Sequence, residues 1–202
     1  MNYTVFQWIN NLAGHSALLD KLMVAITKSA PVVAILFMLL LWFSNAPKTK
    51  AIAKQYTVIY TTLSLVMALV LNAIIHFVYY HPRPFVTHHV NKLVAHAADS
   101  SFVSDHSVLV FAIAFTLLLR DDTWKNIAFI WAVIVGVSRI YVGVHYPADV
   151  IGGAALSFLT SAVVLQNATK LEPFVRFVLH MYHKATKRIP ILSKYSYVKQ
   201  DL

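Results

Sequence analysis

Long apolar runs alternate with short polar segments along most of this chain. Each run is close to the length that a helix needs to cross a hydrocarbon layer of roughly 30 Å. We therefore predict membrane-spanning helices at about residues 22–43, 56–78, 104–119, 126–142 and 147–165. Residues 1–20 mix apolar and polar side chains too evenly for a span, and this mixture predicts a short amphipathic helix in the membrane interface.

Local signals support two of the helix ends and one packing face. Ser104 precedes the third run and suits a helix N-cap, and Pro147 suits the first turn of the last span. Small residues let transmembrane helices approach closely, so a face that carries them is expected inside the bundle. The last span has such a face, with Gly152, Gly153, Ala154, Ala155 and Ser157.

The composition agrees with a membrane protein. The 202 residues are 58% hydrophobic and only 12% charged, and no repeat or linker divides them, which predicts one domain over residues 1–202. The predicted fold class is all-α: an integral membrane helical bundle of about five to six transmembrane helices with an N-terminal amphipathic helix. The chain has no cysteine, which excludes disulfides and cysteine-ligated metals.

The formal net charge of +9 could indicate nucleic-acid binding, but its distribution indicates a membrane instead. Most Lys and Arg lie in short loops and in a basic tail at 168–202, and basic loops stay in the cytoplasm. The segments 79–103 and 138–149 and the start of the third span should then meet at the extracytoplasmic face of the membrane.

Residues 138–149 place ionisable side chains between two apolar runs, where charge is costly and usually functional. Arg139 offers a planar fork of donors to a phosphate, His145 is a potential nucleophile or base, and Asp149 could fix the tautomer of the imidazole from one turn further on. The alternative interpretation is a snorkelling Arg, an interfacial His and an Asp that begins the next helix.

Further polar groups are expected at the same face. Ser104 and His106 stand at the N-terminus of the third span, where N–H groups favour an anion, and the other expected donors are Arg83 and His76. In phosphate ester cleavage, one histidine attacks phosphorus while another protonates the leaving oxygen and later activates water. The protein supplies the positive charge itself, so no metal or other cofactor is expected. We also expect His145 at a solvent-facing helix mouth, outside the packed core.

These residues resemble the motifs of the type 2 phosphatidic acid phosphatase superfamily. Its third motif is Ser-Arg, five residues, His, three residues and Asp, and it is complete here from Ser138 to Asp149. The resemblance implies that His145 is the nucleophile that takes up the phosphoryl group, that Asp149 orients it and that Arg139 binds phosphate.

The other two motifs are matched in part. The family's Pro-Ser-Gly-His reads Val103-Ser104-Asp105-His106, which implies Ser104 as a phosphate ligand and His106 as the general acid. Asp105 in place of Gly resembles the bacitracin-resistance undecaprenyl pyrophosphate phosphatases, and we count it among the phosphate-binding residues. The first motif keeps Arg83-Pro84, a phosphate ligand by resemblance, but has His76 where the family has Lys; a neutral imidazole can still donate one hydrogen bond.

Three functions follow from these residues. The favoured one is metal-independent hydrolysis of undecaprenyl pyrophosphate to undecaprenyl phosphate through a phosphohistidine, in lipid-carrier recycling for cell-wall synthesis and in bacitracin resistance. The alternatives are a phosphatase of phosphatidylglycerol phosphate or phosphatidate, and a non-catalytic channel or carrier. A metal site is disfavoured, because the spacing of the loop histidines fits no regular ligand pattern; they are His81, His88, His89 and His96.

Overall fold

The computed structural model describes residues 1–189 together with 192, 194 and 195, and this part of the chain forms helices and no strands. The end of the basic tail predicted at 168–202 otherwise lies outside the described residues. The helices are α1 (Asn2–Asn10), α2 (Ala17–Trp42), α3 (Lys48–Val78), α4 (Pro84–Thr87), α5 (Asp105–Leu119), α6 (Lys125–Tyr141), α7 (Pro147–Gln166) and α8 (Ala168–Thr186).

Length and composition identify α2, α3 and α7 as helices that can cross a membrane. α5 is a shorter apolar helix of 15 residues, and α6 has 17 residues. Large apolar side chains are exposed around the bundle, among them Leu40 at 70% and Leu159 at 60%, as expected of a surface that faces lipid. The chain is an all-α, multi-pass membrane protein, and the predicted fold class is confirmed.

α5 lies at the centre of the bundle and contacts α2, α3, α6 and α7. Val108, Val110, Ala112 and Ala114 are fully buried, and the helix is apolar on all sides, which suits a helix surrounded by protein. The largest hydrophobic cluster joins α5 to small alanines of α2 and α6.

α7 packs closely on the first turn of α5. A Cβ added at Gly153 would lie 2.9 Å from Cβ of Ser107 and 3.1 Å from the carbonyl oxygen of Ser104, so only glycine fits there. One turn further on, the hydroxyl of Ser157 donates to the carbonyl oxygen of Val108 at 2.9 Å. The prediction that the small face of this helix points into the bundle is therefore confirmed for Gly153 and Ser157, whereas Ala155 lies on the exposed side.

Two helices begin earlier than predicted. α2 begins at Ala17 and not near residue 22, because Ser16 caps it: the hydroxyl of Ser16 accepts a hydrogen bond from the N–H of Leu19. α3 begins at Lys48, inside the segment that we predicted as a loop, since Lys is a good helix former whose long side chain can extend towards the membrane surface.

α1 is shorter than the amphipathic helix predicted at residues 1–20, and it is docked on the bundle. Phe6 is 1% exposed and packs against the ring of Tyr146. The side chains of Asn10 and Asn91 exchange hydrogen bonds with each other's backbone at 2.9 to 3.2 Å. α1 is thus fastened to the long connection that follows α3.

Candidate active site

The polar segments meet at one end of the bundle, as the sequence predicts. This end contains the last turn of α3, the connection 79–104, the turn 142–146 and the first turns of α5 and α7. Several of the predicted site residues are buried there, each at most 3% exposed: Arg83, Ser104, Arg139, His145 and Asp149.

A glycine turn places His145 at this end. α6 ends at Tyr141, and Gly143 follows with a φ of 81°, in the left-handed region that favours glycine. A Cβ at position 143 would also lie 2.7 Å from the carbonyl oxygen of Asn91. The turn reverses the chain between α6 and α7 and directs His145 into the protein.

His145, in the turn before α7, and Asp149, in the first turn of α7, form a buried pair. Nδ1 of His145 lies 3.5 Å from Oδ2 of Asp149. The same oxygen accepts hydrogen bonds from the hydroxyl of Ser101 and, at 2.8 Å, from the N–H of Tyr146, which fix the carboxylate beside the ring. His145 is only 2% exposed, so the prediction of a solvent-facing position was wrong, because the connection after α3 covers this turn.

Arg83 contacts the opposite nitrogen of the imidazole. Its Nη1 lies 3.0 Å from Nε2 of His145, its Nε donates to Asp99 at 2.8 Å, and its Nη2 donates to the carbonyl oxygen of Ser100. A guanidinium has no acceptor, so Nε2 must accept in this contact. The neutral ring therefore carries its proton on Nδ1, facing Asp149, and its lone pair on Nε2.

Burial and positive charge keep this imidazole neutral. Burial lowers the pKa of His145 well below its ordinary value of 6.5, and the charges of Arg139 and Arg83 lower it further. Asp149 raises the pKa but does not offset these effects. A neutral imidazole with its lone pair on Nε2 is the form that acts as a nucleophile.

Arg139 is buried with donors that have no partner. Its Nη1 donates to the hydroxyl of Thr27 at 2.8 Å. Its Nε and Nη2 are buried and have no hydrogen-bond partner in the described part of the chain. Buried donors are nearly always paired, and a guanidinium binds phosphate through two such nitrogens at once. The arrangement is therefore suited to an anion.

The residues of the second motif begin α5. Ser104 is the N-cap of this helix, as predicted, and its hydroxyl accepts from the N–H of Ser107 at 3.4 Å. His106 lies partly buried in the first turn, where the charges of Arg139 and Arg83 act on it. Ser104 and His106 are thus placed at the same end as His145.

His76 and Asp105 contact α3 and the loop before α5. Nε2 of His76 donates to the carbonyl oxygen of Val103 at 3.3 Å, and Asp105 accepts from Nδ2 of Asn72 at 2.6 Å. Asn72 also makes two hydrogen bonds with the backbone of Val103. The structure joins His76 and Asp105 to this loop and not to His145, so their role as phosphate ligands stays a prediction.

Comparison with known proteins places the chain in a family. The sequence profile of the PAP2 superfamily matches residues 57–172, which include most of α3, all of α5, α6 and α7, and every predicted site residue. The chain belongs to the PAP2 superfamily. The resemblance stated from the motifs is therefore confirmed.

Individual relatives of this PAP2 protein match over most of its length. The undecaprenyl-diphosphatase BcrC of Bacillus subtilis (strain 168) is 37% identical over 93% of this chain and 97% of that protein. The bacitracin transport permease protein BcrC of Bacillus licheniformis is 33% identical over 94% of this chain and 91% of that protein. The crystal structure of Aquifex aeolicus LpxE is similar with a TM-score of 0.69 and 26% identity, covering 82% of this chain and 94% of that one.

Sequence reasoning missed three residues that hold the PAP2 site together. Thr27 accepts from Arg139, Asn72 holds the loop before α5, and Ser101 donates to Asp149. Asn72 and Thr27 are polar residues within apolar runs, and such residues usually have a partner or a function, so this signal could have found them. Ser101 lies in a polar loop and carries no such signal.

Two of the loop histidines, His81 and His88, have different neighbours. His88 stacks on Tyr3 with ring centroids 3.9 Å apart, whereas His81 lies near Asp149. In the part of the chain that the structure describes, no group of three or more His, Cys, Asp or Glu side chains could hold a metal ion.

Proposed function

We propose that this chain is an undecaprenyl-diphosphatase, which hydrolyses undecaprenyl pyrophosphate to undecaprenyl phosphate and inorganic phosphate. The observation that carries the proposal is Arg139, whose unpaired Nε and Nη2 are buried in the same site as the neutral His145. A phosphate group could accept from both nitrogens while the imidazole attacks it. The Bacillus subtilis relative is named for this activity.

The reaction takes place in two displacements at His145. Nε2 attacks the terminal phosphorus, an N–P bond forms, and the bond from phosphorus to the bridging oxygen breaks. His106 gives a proton to that oxygen, and undecaprenyl phosphate leaves. A water, deprotonated by His106, then attacks the phosphohistidine, the N–P bond breaks, and inorganic phosphate leaves. Asp149 stabilises the positive charge that the ring carries in between.

Positive groups stabilise the phosphoryl oxygens during both displacements. Arg139 contributes the two nitrogens that have no partner among the described residues, and Ser104 and the N–H groups at the start of α5 lie at the same end of the bundle. Arg83 turns Nη1 from the imidazole to the phosphate when the substrate binds, while Asp99 and Ser100 continue to hold its other nitrogens. This scheme uses only groups of the protein.

Release of phosphate by purified protein tests the proposal. In detergent, undecaprenyl pyrophosphate should be hydrolysed with kcat/KM at least about tenfold above phosphatidylglycerol phosphate and phosphatidate, which corresponds to about 1.4 kcal/mol in the transition state. The His145→Gln variant is the blank. A preference for either glycerolipid would make the alternative phosphatase the correct assignment. Ion flux in liposomes without phosphate release from any lipid would identify the protein as a channel or carrier. The structure does not favour this outcome, because the buried charged residues lie at one end of the bundle and do not extend along the spans.

The catalytic end should face out of the cytoplasm. Basic residues gather at the opposite end, where Arg120 donates to Thr57 and Ala53 in the first turns of α3, close to Lys50 and Lys54 in sequence. Positively charged loops stay in the cytoplasm. This orientation suits a carrier lipid that is released as its pyrophosphate on the outer side of a bacterial membrane.

Single cysteines test the orientation, since the chain has none. Exposed positions are available at both ends of the bundle. Ala98→Cys should react with an impermeant maleimide in intact spheroplasts, whereas Thr49→Cys and Ala185→Cys should react only after permeabilisation. The reverse pattern would overturn both the orientation and the carrier-recycling role.

A further inference from the structure

Asp149 has a second histidine neighbour that the reaction scheme does not use. Nδ1 of His81 lies 3.9 Å from Oδ1 of Asp149. Both atoms are buried, and neither has a hydrogen-bond partner within the described residues. The other carboxylate oxygen, Oδ2, faces His145. The carboxylate of Asp149 thus lies between two imidazole rings.

The position of His81 is built by the segments that form the site. Its carbonyl oxygen accepts from the N–H of Ser101 at 2.7 Å, and its own N–H donates to the hydroxyl of Ser100 at 3.2 Å. The ring meets the ring of Tyr146 at an interplanar angle of 71°, with centroids 5.3 Å apart. Ser101 and Tyr146 are also the residues that donate to Asp149, so one local framework sets both rings against the carboxylate.

A buried carboxylate oxygen without a donor is costly, and so is a buried ring nitrogen without a partner. A shift of about 1 Å would bring these two atoms to normal hydrogen-bond distance. We infer that His81 is a positioning residue: its Nδ1–H donates to Oδ1 of Asp149 and holds the plane of the carboxylate so that Oδ2 faces Nδ1 of His145.

The consequence for the reaction follows from geometry. The ring of His145 becomes positively charged when Nε2 bonds to phosphorus, and Asp149 stabilises that charge only while Oδ2 points at Nδ1. Without the His81 contact, the carboxylate would be held only by the hydrogen bonds that Ser101 and Tyr146 donate to Oδ2, and its plane could rotate. The effect should fall on the chemical step and not on substrate binding, because His81 touches Asp149 on the side away from His145. The inference rests on the proposed function.

Two substitutions and a control test it by phosphate release. His81→Phe keeps an aromatic ring against Tyr146 but removes the hydrogen-bond donor. Its kcat should fall about tenfold, which is the rate equivalent of one hydrogen bond to a charged group, and its KM should stay within about twofold of wild type. His81→Asn places an amide N–H near the position of Nδ1 and should recover most of kcat. His89→Phe makes the same change at an exposed histidine of the same loop and should leave both constants unchanged.

The outcomes separate this inference from the proposed function. If the wild-type protein does not hydrolyse undecaprenyl pyrophosphate, the function assignment fails. The His81 variants are then compared with wild type on the lipid phosphate that the protein does hydrolyse. If it hydrolyses none, they are compared by their affinity for orthovanadate. Equal kcat, or equal vanadate affinity, for His81→Phe and wild type would overturn the inference. So would an equal loss in His81→Phe and His81→Asn, or a rise in KM that accounts for the whole effect.

Discussion

Asp149→Asn isolates the charge of the carboxylate that holds His145, the proposed nucleophile. The amide has nearly the shape of the carboxylate and can still accept from Ser101 and Tyr146 through its oxygen. At an effective dielectric constant of about 20, two unit charges at the 3.5 Å separation of Nδ1 and Oδ2 interact by about 5 kcal/mol. Since about 1.4 kcal/mol is a factor of ten in rate, loss of this interaction with the charged ring should lower kcat on the order of 10³-fold.

A tautomer effect acts in the same direction. If the amide instead flips, so that its nitrogen takes the position of Oδ2, it no longer accepts from Ser101 and Tyr146. The proton of the ring then moves to Nε2, where it opposes the Nη1 donor of Arg83 and removes the lone pair needed for attack. Phosphate release under substrate saturation measures kcat, and thermal unfolding checks that the bundle is intact. Asp121→Asn is the matched control, because Asp121 is exposed and its positive φ suits Asn. A kcat within threefold of wild type would refute the assignment of Asp149 as the charge partner.

Three further predictions follow from the same geometry. Gly153→Val should lower the free energy of unfolding by about 1–3 kcal/mol, measured by thermal unfolding, because its Cβ would meet the backbone of Ser104. Ala155→Val, on the exposed side of α7, is the control and should leave the free energy of unfolding unchanged. Equal stability of the two variants would contradict the close packing of α5 and α7. Because the pKa of His145 is lowered, its ring should stay neutral in mildly acidic solution. Its ¹³Cε1 chemical shift, assigned with the His145→Gln variant, should therefore remain that of a neutral imidazole from about pH 8 to pH 5. A transition near pH 6.5 would show that burial and the arginines do not lower this pKa. Orthovanadate should compete with substrate while a chelator leaves kcat unchanged; activity lost to the chelator and restored by a divalent ion would replace the metal-free scheme.

The sequence predicted a helix end or a packing face correctly where the residue type has one common structural role. Apolar run lengths predicted the main helices, Ser104 and Pro147 predicted two helix starts, and the small residues around Gly153 predicted the face that packs on α5. Basic residues were misleading at α3, because a Lys beside an apolar run fits both a loop and a first helical turn whose side chain reaches the membrane surface.

The site was predictable as a set of residues but not as a set of contacts. The sequence predicted the pairing of His145 with Asp149 from their four-residue spacing, although His145 lies in the turn before α7 and only Asp149 is in the helix. The contact of Arg83 with Nε2 depends on how the connection after α3 folds back over the turn at Gly143, and no local pattern encodes that path. The burial of His145 has the same origin, which is why the sequence predicted the residue and mistook its exposure.

The two arginines favour the neutral ring of His145 both before and after the substrate binds. In the free protein, their charges add to the effect of burial in lowering the pKa of His145, which keeps the ring neutral. A bound phosphate would by itself raise that pKa and favour the inactive imidazolium, since an anion stabilises a nearby cation. Arg139 with its unpaired nitrogens and Arg83 with its movable Nη1 neutralise that anion as it arrives, so the ring stays neutral until the N–P bond forms. Replacing either arginine by a neutral side chain should therefore weaken phosphate binding and also raise the pKa of the nucleophile in the complex.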